Sequence, residues 1–308
     1  MSVIQGTEAV DNLVGTSEND SISGGDGVDT LFGEAGDDTL SGDNGADKLF
    51  GGTGNDSISG GDGVDTLFGG TGNDTLTGDD GVDFFVMLPG EGSDVVTDFQ
   101  SESFDQIGLA GGLTFADVTI VQAGANTVVN ADGTQFTLTG FQAANLTELN
   151  FTLLGSDEDD VLVGGDQTSC IDGADGNDTL LGGEGNDILR GDDGNDTLVG
   201  ENGNDTLIGG AGADTLTGGL GSDSFVLDSP SDTSSLTVDT VTDFNSAEGD
   251  KIDAIDLEFL GIGITYEQVR SDVNINASGQ TFAIVQNAQV ADVEANTLFT
   301  EPLPQPSI

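Results

Sequence analysis

The chain has 308 residues, four Lys and Arg against 57 Asp and Glu, no histidine, and a formal net charge of −53. So few cations exclude binding to nucleic acid and to anionic membranes, both of which need a basic surface. The lack of histidine excludes imidazole zinc sites and histidine-based catalytic dyads or triads, and the single Cys170 excludes an internal disulfide.

No stretch reaches the length of a membrane span, and Met1–Gly6 has neither the basic start nor the apolar core of a cleaved signal peptide. The acid is mostly aspartate set at fixed intervals among 50 glycines. Divalent cations are the natural counter-ions for carboxylates arranged in this way.

From the N-terminus the chain divides into nines. A weak copy, GTEAVDNLV, occupies residues 6–14, and eight units follow from Gly15 to Val86, among them GGDGVDTLF and GGTGNDSIS. A second block of eight runs from Gly155 to Val226. Glycine opens every unit, an apolar residue stands eighth, and aspartate stands sixth in all but GGDQTSCID, where Ser169 takes its place. Glycines at positions one, two and four permit positive φ and expose carbonyls. The sixth-position aspartate adds a short, hard, anionic donor. Calcium accepts six to eight such oxygens in flexible geometry, whereas the tighter octahedron of magnesium suits a backbone-rich cage less well. The last three residues, such as Thr30-Leu31-Phe32, read as a short strand with its middle side chain turned inward.

These units resemble the RTX, or haemolysin-type, calcium-binding nonapeptide G-G-x-G-x-D-x-U-x. The resemblance implies an all-β fold of two parallel β-rolls, with two nonapeptides per coil and each ion held between loops eighteen residues apart. Position five supports that pairing, since Val28, Ala46, Val64 and Val82 alternate with Asn19, Asp37, Asn55 and Asn73. The metal ligands expected in the first roll are Asp20, Asp38, Asp56 and Asp74 on one side and Asp11, Asp29, Asp47, Asp65 and Asp83 on the other. In the second roll they are Asp160, Asp178, Asp196 and Asp214, opposite Asp187, Asp205 and Asp223. Pairing neighbours in each column gives about twelve calcium ions, with a weak or absent one at Ser169.

Domain boundaries follow from where the nonapeptide stops: a first roll over 1–86, a flank over 87–154, a second roll over 155–226, and a second flank with a C-terminal tail over 227–308. The flanks resemble each other. Asp94-Val95-Val96-Thr97-Asp98-Phe99 matches Asp239-Thr240-Val241-Thr242-Asp243-Phe244, and Asp105-Gln106-Ile107 matches Asp250-Lys251-Ile252. Alternating apolar runs with glycine-containing turns predict short antiparallel strands that cap each roll. Asp98 and Asp243 are candidates either for further ligands at the seam or for strand-end solvation. The tail Glu301–Pro306 carries too many prolines for a central strand.

One outward row of the first roll reads Val14, Phe32, Phe50, Phe68, Val86, an apolar stripe of the kind that marks an interface with another subunit or with the chain's own flank. No H-E-x-x-H or G-x-S-x-G with a histidine partner occurs, so no enzyme is expected. The reading is a non-catalytic extracellular or cell-surface calcium-binding protein that self-associates, with a head-to-tail filament as the form considered, without nucleic-acid binding or membrane insertion. The alternative is a calcium-dependent adhesin or an export module of a secreted toxin or enzyme. The family resemblance also implies type I secretion.

Overall fold

A computed structural model of the chain describes residues 2–100, 105–227, 237–254, 264–277 and 280–298. The chain divides into two compact units, Met1–Thr152 and Leu153–Gln305. Each is a parallel β-solenoid closed by antiparallel strands.

In the first unit every nonapeptide supplies one strand, and the chain returns to the same sheet eighteen residues later. One sheet begins with Val3–Gln5, Ser21–Asp26, Thr39–Gly45, Ser57–Gly63 and Thr75–Gly81, in parallel register Ser21↔Thr39↔Ser57↔Thr75. The facing sheet begins with Asn12–Val14, Thr30–Phe32, Lys48–Thr53, Thr66–Thr71 and Phe84–Met87, in register Thr30↔Lys48↔Thr66↔Phe84. Two nonapeptides therefore make one coil. The second unit repeats the pattern with Val161–Val163, Thr179–Glu184, Thr197–Asn202 and Thr215–Leu220 facing Cys170–Asp172, Ile188–Arg190, Thr206–Ile208 and Ser224–Leu227.

The glycines divide into two physical roles. Position four needs positive φ together with close approach: Gly45 has φ 150°, and a Cβ there would stand 1.4 Å from the Gly27 carbonyl oxygen. Position one is not in the left-handed region, contrary to the expectation from sequence. It needs room instead, because a Cβ on Gly42 would meet Asp47 Oδ2 at 2.4 Å and the Gly60 carbonyl at 2.5 Å. Position two does take positive φ, yet Glu34, Asp43, Asp79, Ala174, Asp192 and Glu201 occupy it in six loops.

The eighth residue of each unit forms the interior. Leu31, Leu49, Leu67, Leu76 and Phe85 in the first unit, and Leu180, Leu198, Leu216 and Phe225 in the second, are fully buried. Leu13 and Leu162, in the opening coil of each unit, are only half-buried, since one flank of each faces outward.

Parallel pairing outlasts the recognisable repeat. Ser93–Val96 lies beside Thr75–Gly81 with Val96 opposite Leu76, and Gln106–Leu109 lies beside Phe84–Met87 with Ile107 opposite Phe85. Thr134–Leu138 then joins Ser93–Val96 in parallel, and Asn126–Ala131 and Thr119–Ala123 follow antiparallel. The turn between the first two of these carries Asp132 and Gly133 at φ 37° and 89°, the paired positive values that a two-residue hairpin turn needs. The second unit closes likewise. Asp239–Val241 and Lys251–Ala254 extend the two sheets, and Gln280–Val285, Asp272–Ala277 and Ile264–Val269 form the meander. A short helix, Val290–Asn296, leads to Thr297–Leu298 beside Lys251–Ala254. The expected tail Glu301–Pro306 lies outside the described residues.

The phenylalanine row forms a ladder. Phe32 and Phe50 stack with centroids 4.9 Å apart and planes 8° from parallel, and Phe50 and Phe68 at 4.5 Å and 12°. Val14 is half exposed, but Val86, expected to face outward, is fully buried. All four residues of Phe84–Met87 are buried, so the strand is covered on both faces and the stripe ends at Phe68.

Substitution should separate the glycine roles. Gly45→Ala should lower the thermal midpoint of the chain steeply, by the equivalent of more than about 2 kcal/mol. Gly90→Ala, at φ 78° with open space around it, should cost only about 1 kcal/mol. Equal losses in calorimetry would contradict the assignment.

Candidate metal centre

The sixth-position aspartates stack in columns, and one contact repeats down each of them. The backbone amide of each aspartate donates to Oδ1 of the aspartate eighteen residues on. In one column of the first unit, Asp20 reaches Asp38 at 2.6 Å, Asp38 reaches Asp56 at 2.8 Å and Asp56 reaches Asp74 at 2.7 Å. The other column runs from Asp11 through Asp29, Asp47 and Asp65 to Asp83 at 2.7–3.1 Å. In the second unit Asp160, Asp178, Asp196 and Asp214 join at 2.8–2.9 Å, and Asp187, Asp205 and Asp223 at 2.8–3.0 Å.

The second carboxylate oxygen has no such partner. Oδ2 of Asp29, Asp38, Asp47, Asp56, Asp65, Asp74 and Asp83, and of Asp178, Asp187, Asp196, Asp205 and Asp223, is buried without a hydrogen bond. A buried, unsatisfied carboxylate oxygen costs several kcal/mol unless a cation or proton meets it. Each Oδ2 lies over the position-one glycine of its own loop, and in most coils the glycine carbonyl of the next coil lies there too, as Asp56 Oδ2 and the Gly69 carbonyl do at Gly51. The donors are hard oxygens, part carboxylate and part backbone, and they fit a calcium-type ion. Among the described residues no three or more Asp, Glu or Cys side chains converge on one point, so each candidate centre has at most two carboxylates and depends on carbonyls for the rest.

The opening loops differ. Asp11, Asp20 and Asp160 also receive Oδ2 bonds from their own loop: from the amide and hydroxyl of Thr7 at 2.7 and 2.8 Å, of Thr16 at 2.7 Å each, and of Ser156 at 2.7 and 2.8 Å. Their units carry Ala9, Glu18 and Glu158 where position-four glycine belongs, so the tight bend is not made. At Ser169 the amide still donates to Asp187 Oδ1 at 2.6 Å, while its hydroxyl donates to the Gln167 carbonyl. That loop has no anionic oxygen at position six.

Sequence reading missed four residues that the columns use. Asp94 Oδ1 accepts the Asp74 amide at 2.9 Å and Asp105 Oδ1 that of Asp83 at 3.3 Å. Asp239 and Asp250 accept from Asp214 and Asp223 at 3.1 and 3.0 Å. The signal was available, because each begins an aspartate-x-apolar triplet that occurs in both flanks. Asp98 and Asp243 sit at the seams in another role. Their carboxylates cap the amides of Gly78 and Asp79, and of Gly218 and Gly219, at 2.8–3.0 Å. In earlier coils the position-one amide donates instead to a carbonyl, as Gly33 does to Phe50 at 2.8 Å. Cys170 is half-buried, and burial pushes its thiol up to about 11.

Burial governs the protonation of the columns. It raises Asp47 and Asp196 to about 7, Asp56, Asp65, Asp187 and Asp223 to about 6, and Asp83 to about 8, against the opposing amide bond that each accepts. Neighbouring carboxylates of the column add to the rise for most of them.

The nonapeptide family profile, the RTX calcium-binding nonapeptide repeat, matches residues 5–40, 41–76, 59–86, 154–189, 172–207 and 190–225, together half of the chain. The chain belongs to the RTX calcium-binding nonapeptide family. It is accordingly a calcium-binding β-roll protein. No match was found among curated proteins. Of solved structures, the extracellular lipase LipA from Serratia marcescens is 18% identical over 80% of this chain and 40% of its own, with a TM-score of 0.24. The R3 and R2 subunits of the Azotobacter vinelandii mannuronan C5-epimerase AlgE6 are each 26% identical. The R3 subunit covers 47% of this chain and 79% of its own with a TM-score of 0.21, the R2 subunit 48% and 90% with 0.23. The chain spans less than half the length of the lipase.

The raised carboxyls give a signed pH dependence to the metal-free RTX fold. Folded, they keep protons up to pH 6–8; unfolded, they lose them near 4. Their contribution to stability is complete below about pH 4 and is lost as pH rises through 6–8. Asp20, lowered to about 2 mainly by the Thr16 hydroxyl, acts oppositely and only in strong acid. In chelator, β-structure by circular dichroism should therefore increase as pH falls from 8 to 4.5. A flat or inverted profile would contradict the burial of these groups.

Proposed function

We propose that this chain is a non-catalytic, secreted structural protein of a cell surface, matrix or filament, which folds when calcium enters its aspartate columns. The observation that carries this reading is the run of buried Oδ2 atoms without a partner in both units. About twelve ions sit between successive members of the columns, from Asp11 and Asp20 to Asp83 in the first unit and from Asp160 and Asp187 to Asp223 in the second, with the Ser169 loop weakest. Without them the interior is one apolar residue in nine, too little to offset the ordering of so many glycines. Binding free energy is then folding free energy. Such a chain stays open where calcium is scarce and closes outside the cell. No helix among the described residues is long and apolar enough to cross a membrane.

The stacked face of Phe32, Phe50 and Phe68 supports self-association. Each ring is half-buried, and a second copy would cover the remainder. No histidine is present for hydrolytic chemistry of the usual triad or zinc kinds.

Titrating calcium into the chelated chain at pH 7.5 should convert a disordered circular dichroism spectrum into a β spectrum, with a midpoint on the order of 10⁻⁴–10⁻³ M. A spectrum unchanged between chelator and several millimolar calcium would defeat the reading. Separately, Phe50→Ser should abolish assembly in sedimentation while leaving the calcium-induced spectrum intact; assembly equal to that of the unaltered chain would remove the ladder as an interface.

A further inference from the structure

The two flanks end their sheets alike, and one set of contacts aligns them. In the first, Gln122 Nε2 donates to the carbonyls of Gly124, Asn126 and Phe141 at 3.3, 2.8 and 3.4 Å, and Gln122 Oε1 accepts the Ala143 amide at 2.8 Å. In the second, Gln268 Nε2 donates to those of Arg270, Asp272 and Ala288 at 3.5, 3.0 and 3.0 Å, and Gln268 Oε1 accepts the Val290 amide at 3.2 Å. Gly124 and Arg270 open the two-residue turns that follow, with φ 69° and 62°. Thr119–Ala123 therefore corresponds to the last five residues of Ile264–Val269, and each strand is the last of its sheet.

The two edges differ in how they are protected. A last strand presents unpaired amides and carbonyls, and charged side chains are a common device against pairing with another chain. The second flank has Glu267 and Arg270 there; the first has Val121 and Gly124 at the same places. Residues 118–131, the whole first hairpin, carry no charge in a chain of net −53. Val121 is 53% exposed, with Thr119 and Ala123 exposed beside it. A two-residue turn closes on a hydrogen-bonded pair. With Ala123 opposite Asn126 and Val121 opposite Val128, the backbone groups of Thr119, Val121 and Ala123 face Asn126–Ala131, and those of Ile120 and Gln122 face the free edge.

We propose that Thr119–Ala123 pairs with the same strand of a second copy, antiparallel and centred on Val121. In that register Ile120 of each copy exchanges both backbone bonds with Gln122 of the other, and the two Val121 side chains meet at the centre. The strand is complementary to itself, and the absence of charge favours a second copy here, because most of the surface of two such acidic chains repels. This adds a second surface to the self-association proposed above and does not use the phenylalanine ladder. A contact of five residues a side is far below the size of a stable interface, so it needs covalent trapping to be seen apart from the ladder.

Oxidative cross-linking of the calcium-loaded full chain tests this, with Phe50→Ser present throughout to remove the ladder. Opposed residues of a non-hydrogen-bonded antiparallel pair have Cα atoms about 4.5 Å apart, within disulfide reach. Val121→Cys should therefore link to itself, and Thr119→Cys should link to itself at least about tenfold more slowly, because it lies opposite Ala123. Thr119→Cys mixed with Ala123→Cys should link the two chains to each other. Adding Val121→Glu to both, the residue that the second flank carries at this place, should return them to the background that Cys170 sets in the Phe50→Ser chain. All three positions are exposed, so each variant should keep the circular dichroism spectrum of the unaltered chain; should Val121→Glu fail to fold, the Val121→Cys and Thr119→Cys rates decide. Equal rates for those two, or no link above background at any position, overturns the pairing. Either result leaves the ladder standing, since sedimentation with and without Phe50→Ser decides that separately.

Discussion

Everything in this fold depends on one electrostatic constraint: carboxylates stacked one per coil in a place where water cannot reach their second oxygen. The stacking is what closes the loops, because each Oδ1 accepts the amide of the coil before it. The same act buries Oδ2 beside a glycine with nothing to donate to it. Backbone closure and the demand for a cation are therefore one feature seen from two sides. An interior of Leu, Ile and Phe at every ninth residue aligns the coils, but it is too thin to pull acids together against their charge.

The seams follow from the same constraint. A column of this kind cannot simply end, since its last amide would lie buried without an acceptor. Asp94, Asp105, Asp239 and Asp250 meet that need, and Asp98 and Asp243 cap the neighbouring position-one amides in place of carbonyls. The antiparallel strands are added only after these groups are in place. The flank is thus first a continuation of the solenoid and only then a lid.

Much of this was legible in the sequence, and the reason is periodicity. An aspartate at position six and an apolar residue at position eight, repeated in register, place the columns and the core without any long-range inference. What escaped was whatever broke the period. Asp94 and Asp105 were visible as a duplicated pattern, but their spacing hid that they extend the columns. Val86 occupies the same repeat position as Phe68, and its burial depends on a flank that repeat arithmetic does not see. Position-one glycine was correctly expected but for another reason: it provides space for Asp Oδ2 and a neighbouring carbonyl, with no need for a left-handed backbone. The self-bonded loops at Asp11, Asp20 and Asp160 could have been foreseen from their missing fourth glycine.

The amide-to-carboxylate contact also has a direction. Every aspartate serves the coil that precedes it and is served by the one that follows. Loss of one carboxylate therefore strips an acceptor from its upstream neighbour alone, while the downstream coil keeps all of its backbone bonds. Injury in such a lattice is inherited toward the amino end, and the opening loops, which hold their own carboxylates with Thr or Ser, are where that inheritance runs out.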